Sequence, residues 1–167
     1  MKNSEIEAAT AYIGLGSNLD NPAEQIKSAR AAIASLTDVK ELAFSGLYQS
    51  PPMGPQDQPD YLNAVMAVET HRPPINLLRC LQAIENKHGR IRKAERWGAR
   101  TLDLDLLIYG DQQIETPELT VPHPGLAERS FVLYPLAEIA PWVSVPGKGN
   151  IAELIAKCPL NGLGRLL

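Results

Sequence analysis

The chain has 167 residues, 44% of them hydrophobic and 21% charged, with a formal net charge of −3. That length suits one domain with a sizeable buried core, and the slightly acidic balance argues against general nucleic-acid binding, which draws on a basic domain. No apolar run approaches the roughly 18–20 residues that span a bilayer, and the opening MKNSEIEAAT lacks a basic-then-apolar signal pattern.

Taken in chain order, TAYIGLGSN begins as a short apolar run ending in glycines, so residues 10–15 read as a strand entering a turn. Asn21-Pro22-Ala23-Glu24 announces a helix: Asn21 as cap, Pro22 at the first helical position, and Glu24 where a capping box wants an acid. Ile26, Ala29, Ile33 and Leu36 give that helix one apolar stripe. Residues 39–50 read as a second strand, interrupted in character by Gly46. SPPMGPQDQPD (50–60), with four prolines, must be an irregular loop, and loops of this size in compact domains are usually functional.

YLNAVMAVET (61–70) is a third strand, with Leu62, Ala64, Met66 and Val68 on its core parity and Tyr61 and Asn63 opening the other. Pro73-Pro74 starts a second helix carrying Leu77, Leu81, Ile84 and His88 at helical spacing, with Gly89 as its C-terminal cap. A basic loop, RIRKAERWGAR (90–100), leads into a strand over 101–109. The order strand, helix, strand, strand, helix, strand is that of an α+β, ferredoxin-like βαββαβ fold: an antiparallel sheet with both helices on one face. Residues 111–167, with short helical stretches at 127–140 and 150–157, are expected to wrap this core. The expectation is a single domain over 1–167 with its core at about 10–141.

The strand at 101–109 carries the chemistry. Leu102, Leu104, Leu106 and Ile108 occupy one parity, so Asp103 and Asp105 share the other, about 6–7 Å apart along the strand. Like charges that close repel, and Asp is disfavoured in strands. Paired carboxylates on one face suit hard cations such as Mg²⁺, which are completed by water and substrate phosphates. Arg90, Arg92, Lys93, Arg96 and Arg100 crowd the preceding loop against the single acid Glu95. Metals beside Arg and Lys are what phosphoryl transfer requires. If the leucine row packs under the helices, both acids lie on the open sheet face with Tyr61 and Asn63.

Other motifs carry less. Gly14-Leu15-Gly16 begins like a dinucleotide fingerprint, but position 19 is Leu and the helix starts later; a Walker A sequence is absent. His71 and His88 read as surface residues, and His123, held between prolines, as a structural one. Cys80 and Cys158 are far apart without CxxC spacing and read as inert thiols in a reducing, cytoplasmic setting.

GSNL (16–19), SPPMGPQDQPDYLNAV (50–65), GRIRKAERWGARTLDLDLL (89–107) and LTVPHP (119–124) resemble the 6-hydroxymethyl-7,8-dihydropterin pyrophosphokinases of folate biosynthesis. The resemblance runs from about Ala11 to Pro141 and implies the same ferredoxin-like fold. It implies transfer of pyrophosphate from ATP to the pterin hydroxymethyl group with release of AMP, the attacked atom being the β-phosphorus. It further implies two Mg²⁺ ions on Asp103 and Asp105, one also binding the pterin hydroxyl, with Arg90, Arg92 and Arg100 on the triphosphate and Trp97 closing over the site. By the same resemblance Gln82, Glu85, Leu106, Thr120, His123 and Arg129 surround the nucleotide. Tyr61 and Phe131 sandwich the pterin, Asn63 pairs with its edge, and Ser50, Pro51 and Met53 complete the pocket. The proton acceptor stays open between Asp105 and solvent. The loops at 46–60 and 90–99 are expected to order over ATP and exclude water.

The chain departs from the familiar pattern at Ser50, often Thr; at Pro124, where a Tyr can follow the histidine; and at Glu118, sometimes a basic residue. The implied partners are the small molecules ATP and 6-hydroxymethyl-7,8-dihydropterin, with no nucleic acid and no membrane, bound by a monomer without a fused dihydropteroate synthase. Two other readings are a ferredoxin-like module that holds RNA or a nucleotide without chemistry, and a nucleotidyl transferase that releases pyrophosphate. An aromatic fraction of 5% speaks against an RNA-stacking surface.

Overall fold

The computed structural model describes residues 7–19, 21–51, 59–89 and 102–166. Strand β1 (Ala9–Ser17) leads into helix α1 (Pro22–Ala34), then β2 (Val39–Phe44), β3 (Tyr48–Ser50), β4 (Tyr61–Thr70), helix α2 (Pro74–Lys87) and β5 (Asp103–Tyr109). In the main sheet β2 and β3 both pair with β4, β4 with β1, and β1 with β5, all antiparallel. With β2 and β3 counted as one interrupted strand, this is the βαββαβ order read from the sequence.

Residues 39–50 are two strands, not one. Ser45–Leu47 break the run, although Ser45 N–H still donates to Val65 O at 2.9 Å and Ser45 Oγ accepts from Val65 N at 2.9 Å. The break frees β3 to follow β4 toward Tyr61 while β2 pairs with its far half. Asn21 also departs from expectation. Its backbone is left-handed (φ 62°) and its side chain caps nothing in α1, while its carbonyl accepts from Glu24 and Gln25 N–H at 3.0 and 3.1 Å. Asn tolerates that conformation better than other non-glycine residues.

One core lies between the sheet and the two helices. Ile26, Ala29 and Ile33 of α1 and Leu77, Leu81 and Ile84 of α2 meet Ile13, Leu15, Met66, Val68, Leu102, Leu104 and Leu106. Full burial of each of the larger side chains here contributes about 1.5–3 kcal/mol. His88, expected at the surface, is half-buried as the last residue of this packing. Its Nδ1 meets Ile84 O at 2.8 Å and its Nε2 meets Ser28 Oγ at 3.0 Å, joining α2 to α1. Gly89 follows at φ 80°, the left-handed position a helix end favours.

The chain continues through β6 (Ile114–Glu115), β7 (Thr120–Val121), a 3₁₀ turn (Leu126–Glu128), α3 (Ser130–Ile139), β8 (Ser144–Val145), β9 (Gly149–Asn150), α4 (Ile151–Ala156) and β10 (Gly164–Arg165). The helix expected at 127–140 thus begins at Ser130, after a tighter turn. This part wraps the core as expected, but it also builds a second core on the opposite sheet face. There Val132, Leu133 and Leu136 of α3 and Ile151 of α4 pack on Tyr12, Val65, Ala67, Leu107 and Ile108. The face expected to be open is covered over half its length; Asp103, Asp105, Tyr61 and Asn63 stand outside that second cluster.

The covering explains a miss in β5. Pairing passes from Leu106↔Ile13 to Ile108↔Tyr12, so two residues of β5 oppose one of β1. This bulge at Leu107 reverses the parity: Ile108 joins the second core and Tyr109 the first. Bulges commonly re-aim side chains next to functional sites, and this one separates the acid-bearing half of β5 from its doubly buried half.

Candidate active site

Strand register sets the acids beside two glycines of β1. On β1, Gly16 lies between Asp103 of β5 and Asn63 of β4, and Gly14 lies between Asp105 and Val65. Gly16 puts no side chain between Asp103 and Asn63, whereas the space over Gly14 is taken by Leu107, whose Cδ1 and Cδ2 a Cβ there would meet at 3.5 Å. A Cβ on Gly16 would stand 3.4 Å from Asn63 Oδ1. The sequence reading discounted these glycines as a failed fingerprint; the signal it had was glycine inside a strand, which marks close approach of a ligand or backbone.

Asn63 is buried, and its Nδ2 donates to Ser50 Oγ at 2.8 Å. Ser50 in turn pairs with Tyr61 in the β3–β4 register. Alternation puts Tyr61 on the same face as Asn63, and Phe131, in the first turn of α3, packs half-buried against the second core. The described residues thus bring Ser50, Tyr61 and Asn63 to one end of β4, with Pro51 leaving it. Asn18, unremarked in the sequence, is buried and donates from Nδ2 to Pro59 O at 2.9 Å, tying the end of β1 to the chain entering β4. A buried amide after two strand glycines was the available signal.

On the other side of Asp105 a cleft of about 200 Å³ opens along the edge strand. Leu78 of α2, Leu104, Leu106 and Leu119 line it with apolar surface, and Asp105, Thr120, His123 and Glu118 supply polar groups. Leu104 turns its N–H outward at this edge, to the buried carboxylate of Glu85 at 2.8 Å. By the two-residue repeat of a strand, Leu106 turns its backbone N–H and C=O to the same edge. Beyond the cleft, His123 N–H closes the edge on Leu107 O at 2.9 Å.

His123 belongs to this site rather than to a remote turn. Its Nε2 is 3.9 Å from Asp105 Oδ1, and its Nδ1 accepts from Gly125 N–H at 3.1 Å. An accepting Nδ1 leaves the neutral ring's proton on Nε2, facing the aspartate. Burial pushes the imidazole below its ordinary pKa; Asp105 opposes this, while Arg129 and Lys148 add to it. The Arg129 guanidinium packs over Gly125, where a Cβ would stand 2.7 Å from its Nε, and its Cζ is 5.8 Å from the Phe131 ring centroid. Gln82 accepts from Arg79 at 3.2 Å, and the same Arg79 forms an ion pair with Glu118 at the cleft rim. At the two departures of this region, Pro124 also lines the cleft and Glu118 is matched by a cation from α2.

Met53, Arg90, Arg92, Trp97 and Arg100 lie outside the described residues. Among those described, the donor set at the acids is carboxylate oxygen on a partly exposed sheet face, Asp105 being 46% exposed. Oxygen donors with room for water and phosphate fit magnesium.

A ferredoxin-like sheet with paired carboxylates beside an apolar, histidine-flanked cleft has the parts of a phosphoryl- or pyrophosphoryl-transfer enzyme. The chain belongs to the 7,8-dihydro-6-hydroxymethylpterin-pyrophosphokinase (HPPK) family, whose profile matches residues 12–141. It is 48% identical over 155 residues to the 2-amino-4-hydroxy-6-hydroxymethyldihydropteridine pyrophosphokinase of Pseudomonas aeruginosa, covering 93% of this chain and 95% of that one. To the enzyme of the same name from Haemophilus influenzae it is 50% identical over 146 residues, covering 87% and 91%. The fold is shared with wild-type HPPK-DHPS of Plasmodium falciparum, crystallised with pteroate, at a TM-score of 0.72 and 14% identity. That match covers 94% of this chain and 43% of the larger protein.

Proposed function

We propose that the β5 cleft holds MgATP, that the pocket at the end of β4 holds the pterin, and that Asp103 and Asp105 stand at their junction. The reaction is the family's: pyrophosphate passes from ATP to the hydroxymethyl group of 6-hydroxymethyl-7,8-dihydropterin in folate biosynthesis. The observation that carries the site assignment is the register of Asp103 and Asp105 beside Gly16 and Gly14, with Asn63 on the far side of Gly16.

Leu78, Leu106 and Leu119 offer apolar surface to the adenine, and the outward backbone of Leu106 offers it a donor and an acceptor. Thr120, His123 and Arg129 approach the nucleotide from the strand's edge, Gln82 and Glu85 from α2. Arg90, Arg92 and Arg100 hold the triphosphate and Trp97 covers it, following the family resemblance. Tyr61 and Phe131 stack on the pterin, a flat heteroaromatic. Asn63 meets its edge while Ser50 fixes the amide, and Pro51 and Met53 finish the wall. Bound at Asp103 and Asp105, two Mg²⁺ ions would neutralise the triphosphate and acidify the pterin hydroxyl. Asp105 or solvent takes the hydroxyl proton as the oxygen bonds to the β-phosphorus and AMP leaves.

A single-domain, cytoplasmic monomer completes the proposal; no helix among the described residues is long and apolar enough to cross a membrane. The test is separation of nucleotide products from purified protein, MgATP and 6-hydroxymethyl-7,8-dihydropterin, beside reactions lacking pterin or containing EDTA. Stoichiometric AMP that requires both pterin and Mg²⁺ is the expected result. ADP or inorganic pyrophosphate as product overturns the reaction.

A further inference from the structure

Residues 160–166 cross from α3 to β3, and their contacts at Leu160, Gly162 and Gly164 land on or beside residues assigned to the pterin pocket. At one end, Leu160 O accepts from Ser130 Oγ at 2.8 Å, and Ser130 is the buried residue just before Phe131. In the middle, Gly162 takes φ +85° and passes so close to Pro51 that a Cβ there would stand 3.3 Å from Pro51 Cγ. Leu163 is buried. At the other end, Gly164 and Arg165 pair antiparallel with Gln49 and Tyr48, and Leu166 N–H donates to Leu47 O at 2.8 Å.

One carboxylate locks this crossing. Glu138, near the end of α3, accepts from Arg165 Nε and Nη2 at 3.2 Å each, from Tyr48 OH at 2.6 Å and from Gly46 N–H at 3.0 Å. Helix α3, the break between β2 and β3, β3 itself and the crossing segment therefore meet on a single side chain. A three-residue strand that leads straight into Pro51 has little pairing of its own; this junction adds a second partner strand and a side-chain anchor. Fork-shaped guanidinium–carboxylate pairing also fixes orientation, which an ammonium does not.

We propose that segment 160–166 is a strap that sets the distance between the two walls of the pterin pocket, Phe131 on α3 and Ser50–Pro51 on β3. Arg165, Glu138 and Tyr48 are its positioning residues. The proposal rests on the pyrophosphokinase reading of that pocket. None of the three touches the β5 cleft, so their loss acts on the pterin and spares ATP.

The experiment is steady-state AMP formation by the full chain carrying Arg165→Ala, Arg165→Lys or Tyr48→Phe, varying pterin and ATP separately, with thermal unfolding alongside. Arg165→Ala is expected to raise the pterin KM about three- to fivefold, the scale of an ion pair within a network, with the ATP KM unchanged within about twofold. Tyr48→Phe moves the pterin KM in the same direction without altering charge, and Arg165→Lys recovers part of the loss. An equal rise in both KM values, or a lower unfolding temperature with both unchanged, overturns the strap while leaving the reaction in place. Failure of the unaltered protein to form AMP overturns the pocket assignment and the strap with it.

Discussion

The buried carboxylate of Glu85 accepts the backbone N–H of Leu104 at 2.8 Å, at the one residue that separates Asp103 from Asp105. Among the described residues β5 is the edge of the main sheet, and an edge N–H facing the interior needs a partner. Helix α2 supplies it, so the position of the two acids is fixed from the helix side as well as from β1. Removing that acceptor by Glu85→Ala is expected to cost about 1–3 kcal/mol, the range for a buried group left unpaired. Glu85→Gln keeps an acceptor and costs less. Denaturant midpoints rank the two, and AMP formation follows the same order because the acids move with the strand.

Asp103→Asn and Asp105→Asn test the opposite balance between stability and function. Each exchanges a carboxylate for an amide of nearly the same shape on a partly exposed sheet face, so unfolding temperatures are expected to stay about level. Turnover is expected to fall about a hundredfold or more, since a neutral amide is a poor ligand for a hard cation. Measured together, retained stability with lost turnover marks the pair as functional; near-unaltered turnover in either variant sinks the metal assignment.

Gly16 offers a steric test of the same site. Its added Cβ would stand 3.4 Å from Asn63 Oδ1 and 3.7 Å from Leu62 O. Gly16→Ala brings a methyl into ordinary contact with the amide, and Gly16→Val projects branches into the space between Asn63 and Asp103. The pterin KM is expected to rise with side-chain size, valine well above alanine, because the branches fill the space beside the amide that meets the pterin edge. Parallel initial-rate series in pterin and ATP check this. A rise confined to the ATP KM would place Gly16 under the other substrate.

The helices of the first core were legible because their sequence carries a single period: Ile26, Ala29 and Ile33, and Leu77, Leu81 and Ile84, repeat at helical spacing. The acid pair was legible for the same reason, standing against the leucine row. What failed did so where two faces are buried at once. Leu107 and Ile108 are both apolar, so alternation could not reveal the bulge that turns them to the same core. The second core itself was hidden because α3 and α4 are short and interrupted by Pro135 and loops. His88 and Glu85 look like surface residues of an amphipathic helix; only their partners, Ser28 and the Leu104 N–H, show otherwise. Gly14 and Gly16 have no side chain to read, and their meaning comes from the neighbours that register supplies.

The Glu138 junction makes stability depend on pH at both ends of the range. Burial raises the Glu138 carboxyl, but hydrogen bonds from Arg165, Tyr48 and the Gly46 N–H outweigh it and hold the group below its ordinary value of 4.5. A carboxyl held low binds fewer protons folded than unfolded, so its contribution is present above pH 4.5 and drains away as pH falls through the native value. Tyr48 behaves oppositely: burial first, and then the bond to Glu138, push its phenol from 10.0 to about 12. Its contribution is whole below pH 10.0 and is lost as pH rises toward 12. Denaturant midpoints measured across pH are therefore expected to fall less steeply below pH 4.5 in Glu138→Gln and less steeply above pH 10 in Tyr48→Phe, each against the unaltered chain. Because the two groups share one hydrogen bond, Tyr48→Phe should also soften the acid limb, since it removes one of the donors that hold Glu138 ionised. An acid limb softened in Glu138→Gln but unchanged in Tyr48→Phe would mean that the carboxylate is held by Arg165 and Gly46 alone, and one unchanged in both would remove Glu138 from the acid limb.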